Sequence, residues 1–116
     1  YLISRESAAQ ISLHKKKGGR VVCVGTTSTR TIESAFDPIQ GLVREGAFRT
    51  RLFLRPEGDS KFQVTDRLIT NFHLPKSTLL MLVCAFAGSE LAMRAYREAV
   101  QEKYRFFSYG DSMLIL

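Results

Sequence analysis

Nine consecutive residues, Leu79 to Ala87, are apolar. A helix built from them has no polar face, so it must lie buried inside a domain. It is too short to cross a bilayer, which needs roughly 18–20 such residues. Just upstream, Arg67-Leu68-Ile69-Thr70 reads as the end of a strand, and between the two lies Thr70-Asn71-Phe72-His73-Leu74-Pro75-Lys76-Ser77-Thr78. Strand, polar turn and buried helix in succession is the repeating unit of an α/β protein, and such junctions are where these folds place ligand sites. Pro75 pushes Leu74 into an extended conformation and suits the first turn of the coming helix. Ser77 and Thr78 either cap that helix or offer its first N–H groups to an anion. The same residues also fit a capped helix with no site at all.

A second unit of this kind starts at Arg20-Val21-Val22-Cys23-Val24-Gly25, whose unbroken apolar run predicts a strand buried on both faces of a sheet. Gly25-Thr26-Thr27-Ser28-Thr29-Arg30 then opens a helix through Ala35. This turn reads either as an anion cradle assisted by Arg30 or as hydroxyls capping the helix. It matches neither the Walker A loop nor G-x-G-x-x-G. Together the two units predict an α/β fold with a mixed or parallel sheet flanked by helices.

The remaining segments fill in around that frame. Ser4 is placed to cap a helix running to about Lys17, with Ala8 and Ile11 on one face and Gly18-Gly19 as its stop. His14, Lys15, Lys16, Lys17 and Arg20 at its end read first as a solvated helix terminus and second as an RNA phosphate contact. Residues Asp37 to Gly46 read as a loop, Thr50–Leu54 and Lys61–Val64 as strands, and Arg55–Ser60 and Asp66-Arg67 as turns. Ser89 is expected to cap a helix from roughly Glu90 to Tyr104. Leu91, Ala95, Ala99 and Val100 would form its inner stripe, and its role would be packing. Ser112–Leu116 reads as a final buried strand. Before it, Tyr104-Arg105-Phe106-Phe107-Ser108-Tyr109-Gly110-Asp111 places four aromatics and an arginine beside a carboxylate. They read as core aromatics with a turn aspartate, or as a stacking site for a base with Asp111 as a proton acceptor.

The formal charge of +6, from 17 Lys and Arg against 11 Asp and Glu, favours an anionic partner such as RNA. Cys23 and Cys84 form no Cys-x-x-Cys or Cys/His cluster and sit in apolar surroundings, so they read as small buried hydrophobes in a reducing compartment. With no secretion signal or membrane span visible, the expected location is the cytoplasm.

Three blocks of this sequence resemble the S-adenosylmethionine:tRNA ribosyltransferase-isomerase family of queuosine biosynthesis. They are Gly25–Thr31, Leu68–Val83 and Tyr104–Asp111, in the order and spacing of that family, and the resemblance spans essentially the whole chain. It departs in a longer Pro56–Lys61 turn, in Arg67 where glycine is common, and in Cys84 and Ser89 where serine and arginine are usual. The resemblance implies the C-terminal part (1–116) of the larger α/β domain of a two-domain enzyme, without its β-barrel domain, and a segment inactive by itself. It implies S-adenosylmethionine as co-substrate, tRNA as acceptor and no metal. His73 and Asp111 become the acid/base candidates. Thr26, Thr27, Ser28, Thr29, Arg30, Asn71, Lys76 and Tyr109 become candidates for holding the cofactor or tRNA. The competing readings are a non-catalytic tRNA-binding module and an anion- or nucleotide-binding α/β domain; oligomeric state is left open.

Overall fold

The computed structural model describes residues 1–57 and 61–116. In chain order the elements are β1 (Leu2–Ile3), α1 (Arg5–Lys16), β2 (Val22–Val24), α2 (Thr26–Ala35), β3 (Phe36–Asp37), β4 (Leu42–Val43), β5 (Gly46–Ala47), β6 (Arg67–Asn71), α3 (Thr78–Ala87), α4 (Ser89–Gln101) and β7 (Ser112–Ile115). The main sheet has three strands in the order β2-β6-β7. In it β6 runs parallel to β2 (Val24 beside Ile69) and antiparallel to β7 (Asn71 beside Ser112). The α/β expectation with a mixed sheet is met.

Because paired residues share a face, Cys23, Leu68, Thr70, Met113 and Ile115 line one side of this sheet. That side is covered by helices and holds the core. The other side carries Val22, Val24, Ile69 and Leu114, with Val22 46% and Val24 66% exposed. The expected two-sided burial of β2 and full burial of β7 are therefore corrected. Within the described residues helices pack on one face only, so alternate residues of each strand meet solvent.

The core falls into two clusters. One joins Ile3, Ala8, Cys23, Ile32, Val64 and Leu68; the other joins Phe72, Leu80, Val83, Ala92 and Tyr96. Helix α3 belongs to both, since Leu82 points into the first while Val83 and Cys84 point into the second. This is what its all-round apolar sequence requires. Its start is built as expected: the Ser77 hydroxyl accepts the Leu80 N–H at 3.1 Å and donates to the Leu74 carbonyl at 2.7 Å. Pro75, however, sits in the preceding turn, outside the first helical turn. Ser4 caps α1 through the Ser7 N–H (3.1 Å).

Several expected elements differ. Asp37–Gly46 is a short hairpin, β3 against β4, whose tip is an Asx turn in which Asp37 Oδ1 accepts the Ile39 and Gln40 N–H groups. Thr50–Leu54 and Lys61–Val64 are not strands. In the latter, the N–H groups of Gln63, Val64 and Thr65 donate to the Glu33 carboxylate at 2.7, 3.1 and 2.7 Å, so a side chain replaces the neighbouring strand. Around the former, Arg30 Nε donates to the Leu52 carbonyl and the Thr50 hydroxyl accepts the Leu52 N–H. The turn expected at Arg55–Ser60 falls partly on residues 58–60, outside the described residues. Asp66 anchors the start of β6: its carboxylate accepts the Val21 N–H at 2.7 Å and pairs with Lys15 at 3.1 Å.

Helix α4 begins at Ser89 after Gly88, which holds φ 89° and offers no side-chain cap, so the capping role expected of Ser89 is not realised. It ends at Gln101. Its buried stripe is Ala92, Tyr96 and Ala99, while Leu91, Ala95 and Val100 face out. Two alanines let the helix approach closely and leave one large side chain, Tyr96, to fill the interface. Among the described residues no single helix is long and apolar enough to cross a membrane, and α3 and α4 meet at 119°.

Candidate functional site

Sheet direction decides where the three sequence blocks meet. Strands β2 and β6 are parallel, so the Gly25 turn and the Asn71–Ser77 turn both leave from their carboxyl ends; β7 is antiparallel, so Asp111 enters it at that same end. The Gly25 N–H donates to the Ile69 carbonyl at 2.7 Å, and the Phe72 N–H to the Asp111 carbonyl at 3.4 Å. The carboxyl edge of the parallel strands is where open α/β sheets bind ligands.

A cavity of about 240 Å³ opens at this edge, lined by Asn71, His73, Leu74, Ser77, Leu79, Phe107 and Ser108. A smaller one of about 180 Å³ shares Leu79 and adds Arg30, Phe53, Leu54, Thr78 and Leu82. The second and third blocks thus form one wall each of the larger cavity, and the first contributes Arg30 beyond Leu79.

His73 is held by two hydrogen bonds and by the packing of its neighbour. Its N–H donates to the Tyr96 hydroxyl (2.9 Å), its Nε2 bonds the Thr70 hydroxyl (2.9 Å), and Phe72 beside it packs edge-on against Tyr96 at 5.3 Å. Burial lowers the pKa of the ring below its ordinary 6.5, so His73 is neutral at pH 7. Among the described residues its Nδ1 has no partner, and that nitrogen accepts a proton when Nε2 carries the ring hydrogen. Burial raises the Tyr96 phenol, which therefore stays a neutral hydrogen-bonding group. The sequence reading does not single out Tyr96, which positions the histidine turn. The available signal is a single hydroxyl-bearing ring in the stripe Ala92, Tyr96, Ala99.

The other candidates separate. Asn71 lines the cavity and donates through Nδ2 to the Gly110 and Asp111 carbonyls, both at 3.4 Å, tying the third block to β6. Asp111 is in the same turn region, but its carboxylate does not line the cavity. It accepts the Arg105 N–H at 2.7 Å and meets the Arg105 guanidinium at 3.4 Å. The Arg105 N–H first, then its guanidinium, hold the Asp111 carboxyl below the usual carboxylate range. Lys76 is exposed at φ 60° in the turn, and Tyr109 projects outside the cavity. Thr26 and Thr29 are buried, and the Thr29 hydroxyl donates back to the Gly25 carbonyl at 3.0 Å. Thr27 and Ser28 line a different groove of about 470 Å³ alongside β2. Gly25 (φ 92°) stands just before α2 and offers it no side-chain cap. Both cysteines are buried free thiols, raised in pKa chiefly by burial.

Residues 1–115 match the family described as queuosine biosynthesis protein. Named relatives include the S-adenosylmethionine:tRNA ribosyltransferase-isomerases of Symbiobacterium thermophilum, 58% identical over 116 residues, and of Thermoanaerobacter sp., 52% identical over 116 residues. Each alignment covers 100% of this chain and 33% of the relative. The crystal structure of S-adenosylmethionine tRNA ribosyltransferase from Thermotoga maritima superposes with a TM-score of 0.84 at 48% identity, covering 100% of this chain and 40% of that one. The chain spans about a third of the length of the curated relatives it matches.

Proposed function

Because the chain belongs to the queuosine biosynthesis protein family, we propose that it supplies part of the active site of an S-adenosylmethionine:tRNA ribosyltransferase-isomerase. That enzyme moves and rearranges the ribosyl group of S-adenosylmethionine onto 7-aminomethyl-7-deazaguanine at the tRNA wobble position. Epoxyqueuosine-tRNA forms, and adenine and methionine leave. Residues 1–116 act as the C-terminal part of the larger α/β domain, in the cytoplasm, with the rest of the full-length protein required for turnover.

The observation that carries this reading is the convergence of the second and third blocks, Asn71–Ser77 and Phe107–Ser108, on one cavity around His73. The reaction needs a group that takes a proton beside the sulfonium, a donor for the departing adenine, and a site shielded from water. His73 combines a neutral ring, a fixed orientation and a place in the cavity wall, and it fills the proton-transfer role. Asn71 and the Ser77 turn bind ribose or carboxylate, and Arg30 holds an anionic group across Leu79. The nearby Asp111 carboxylate, committed to Arg105, positions the loop that carries Phe107.

The test is to install this chain in place of the matching 40% of the Thermotoga maritima enzyme. The chimera is then supplied with S-adenosylmethionine and tRNA bearing the aminomethyl base, and released adenine is followed. Adenine release that depends on both substrates supports the reading. Binding of tRNA without any adenine release would favour the non-catalytic module.

A further inference from the structure

We propose that the Arg105–Asp111 loop is a rigid platform for an unpaired RNA strand, with the rings of Phe107 and Tyr109 as separate stacking surfaces for its bases. The proposal rests on the tRNA substrate inferred above and names where part of that RNA is held.

The loop is closed at its neck by reciprocal bonds. The Arg105 N–H donates to Asp111 Oδ2 at 2.7 Å, and the Asp111 N–H donates to the Arg105 carbonyl at 2.8 Å. Inside it, the Gly110 N–H donates to the Phe107 carbonyl (2.9 Å) and the Phe107 N–H to the Phe72 carbonyl (3.0 Å). A Cβ on Gly110 would lie 2.7 Å from the Phe106 carbonyl carbon, so only glycine allows this closure. Phe107 holds φ 73°, a conformation a bulky residue keeps only where its surroundings impose it. Strain and bracing of this kind concentrate at functional sites.

The aromatics of the loop divide cleanly. Phe106 faces inward and stacks on Phe72 at 5.3 Å. Phe107 is half-exposed on the cavity wall, and Tyr109 is 98% exposed outside it. A ligand touching both rings must therefore extend from the cavity onto the surface, as a polynucleotide strand does. Around the loop Arg105 and Asp111 are paired with each other, which leaves the exposed Lys76 and Lys103 against Glu102. That balance favours a polyanion over the cationic S-adenosylmethionine. Aromatic rings stack on any base, and the energy is large enough to read by alanine substitution.

The chain contains no tryptophan. Tyr109→Trp therefore creates a single tryptophan, whose emission is read apart from that of the remaining tyrosines, at a position whose side chain supports nothing in the fold. Titrating this variant with an anticodon stem–loop RNA should give saturable quenching, and S-adenosylmethionine or adenine should give none. In parallel, Tyr109→Ala should bind the stem–loop about ten-fold or more weakly, and Tyr109→Phe should bind as the unsubstituted chain does. Absence of quenching by RNA, quenching by S-adenosylmethionine or adenine alone, or unchanged affinity in Tyr109→Ala overturns the platform. Quenching by RNA together with a full-length chimera that releases no adenine upholds the platform and overturns the enzymatic reading instead.

Discussion

Replacing Tyr96 by phenylalanine removes one oxygen and isolates how the histidine turn is held. The hydroxyl accepts the His73 N–H at 2.9 Å, while the ring packs edge-on against Phe72 at 5.3 Å and Phe106 at 6.0 Å. Phenylalanine keeps both ring contacts. What is lost is one hydrogen bond, net about 0.5–1.5 kcal/mol, plus part of the cost of an orphaned N–H, about 1–3 kcal/mol when fully buried. His73 is only half-buried, so the lower end of each range applies and the sum is about 1–2 kcal/mol. For a chain of this size that is a fall in Tm of roughly 4–10 °C. In urea the midpoint should drop while the slope m stays fixed, because the surface exposed on unfolding is unchanged. Tyr96→Ala, which also empties the ring's space, should cost about 3–5 kcal/mol. A Tyr96→Phe variant within about 0.5 kcal/mol of the parent, the range of ordinary surface changes, would refute the assignment of Tyr96 as the anchor of the turn.

Two further outcomes follow from the same geometry. Glu33→Gln leaves one oxygen and an NH₂ group facing the three N–H donors of Gln63, Val64 and Thr65; it should lower stability by about 1–3 kcal/mol in urea, and an unchanged midpoint would contradict the role given to Glu33. Burial sets the His73 pKa below its unfolded value, so the folded state binds this proton less readily. Stability should be level above about pH 6.5 and fall as the pH drops through the unfolded and then the folded value. His73→Gln should flatten that slope between about pH 7.5 and about pH 5.5 in urea midpoints, and an equal slope in the variant would show that another group carries it.

Much of this arrangement is written locally. The caps at Ser4 and Ser77 need only a hydroxyl before a run of helix formers, and both form as the sequence suggests. The Leu79–Ala87 run demands burial on every side and obtains it by facing two cores at once. What escapes the sequence is whatever depends on a distant partner. Val21–Val24 reads as doubly buried because every residue is apolar, but pairing only fixes which residues share a face. Whether anything covers that face lies outside the local pattern. Lys61–Val64 has strand periodicity, yet a carboxylate some thirty residues earlier in the chain takes its N–H groups. In α4, apolarity alone selects Leu91 and Val100, whereas close approach to α3 selects Ala92, Tyr96 and Ala99. The site divides the same way. Block positions place Asn71 and His73 at the cavity, but the bonds from Arg105 that occupy Asp111, and the turn of α2 that sends Thr27 and Ser28 to another groove, are three-dimensional facts.

The enzymatic reading depends on the cavity around His73 being the place where the proton moves. The most direct measurement is adenine release by the full-length chimera carrying His73→Ala, with its Tm recorded beside the rate. A folded variant whose turnover falls about 10²-fold or more is the expected result. A folded variant that releases adenine at a near-normal rate would contradict the account.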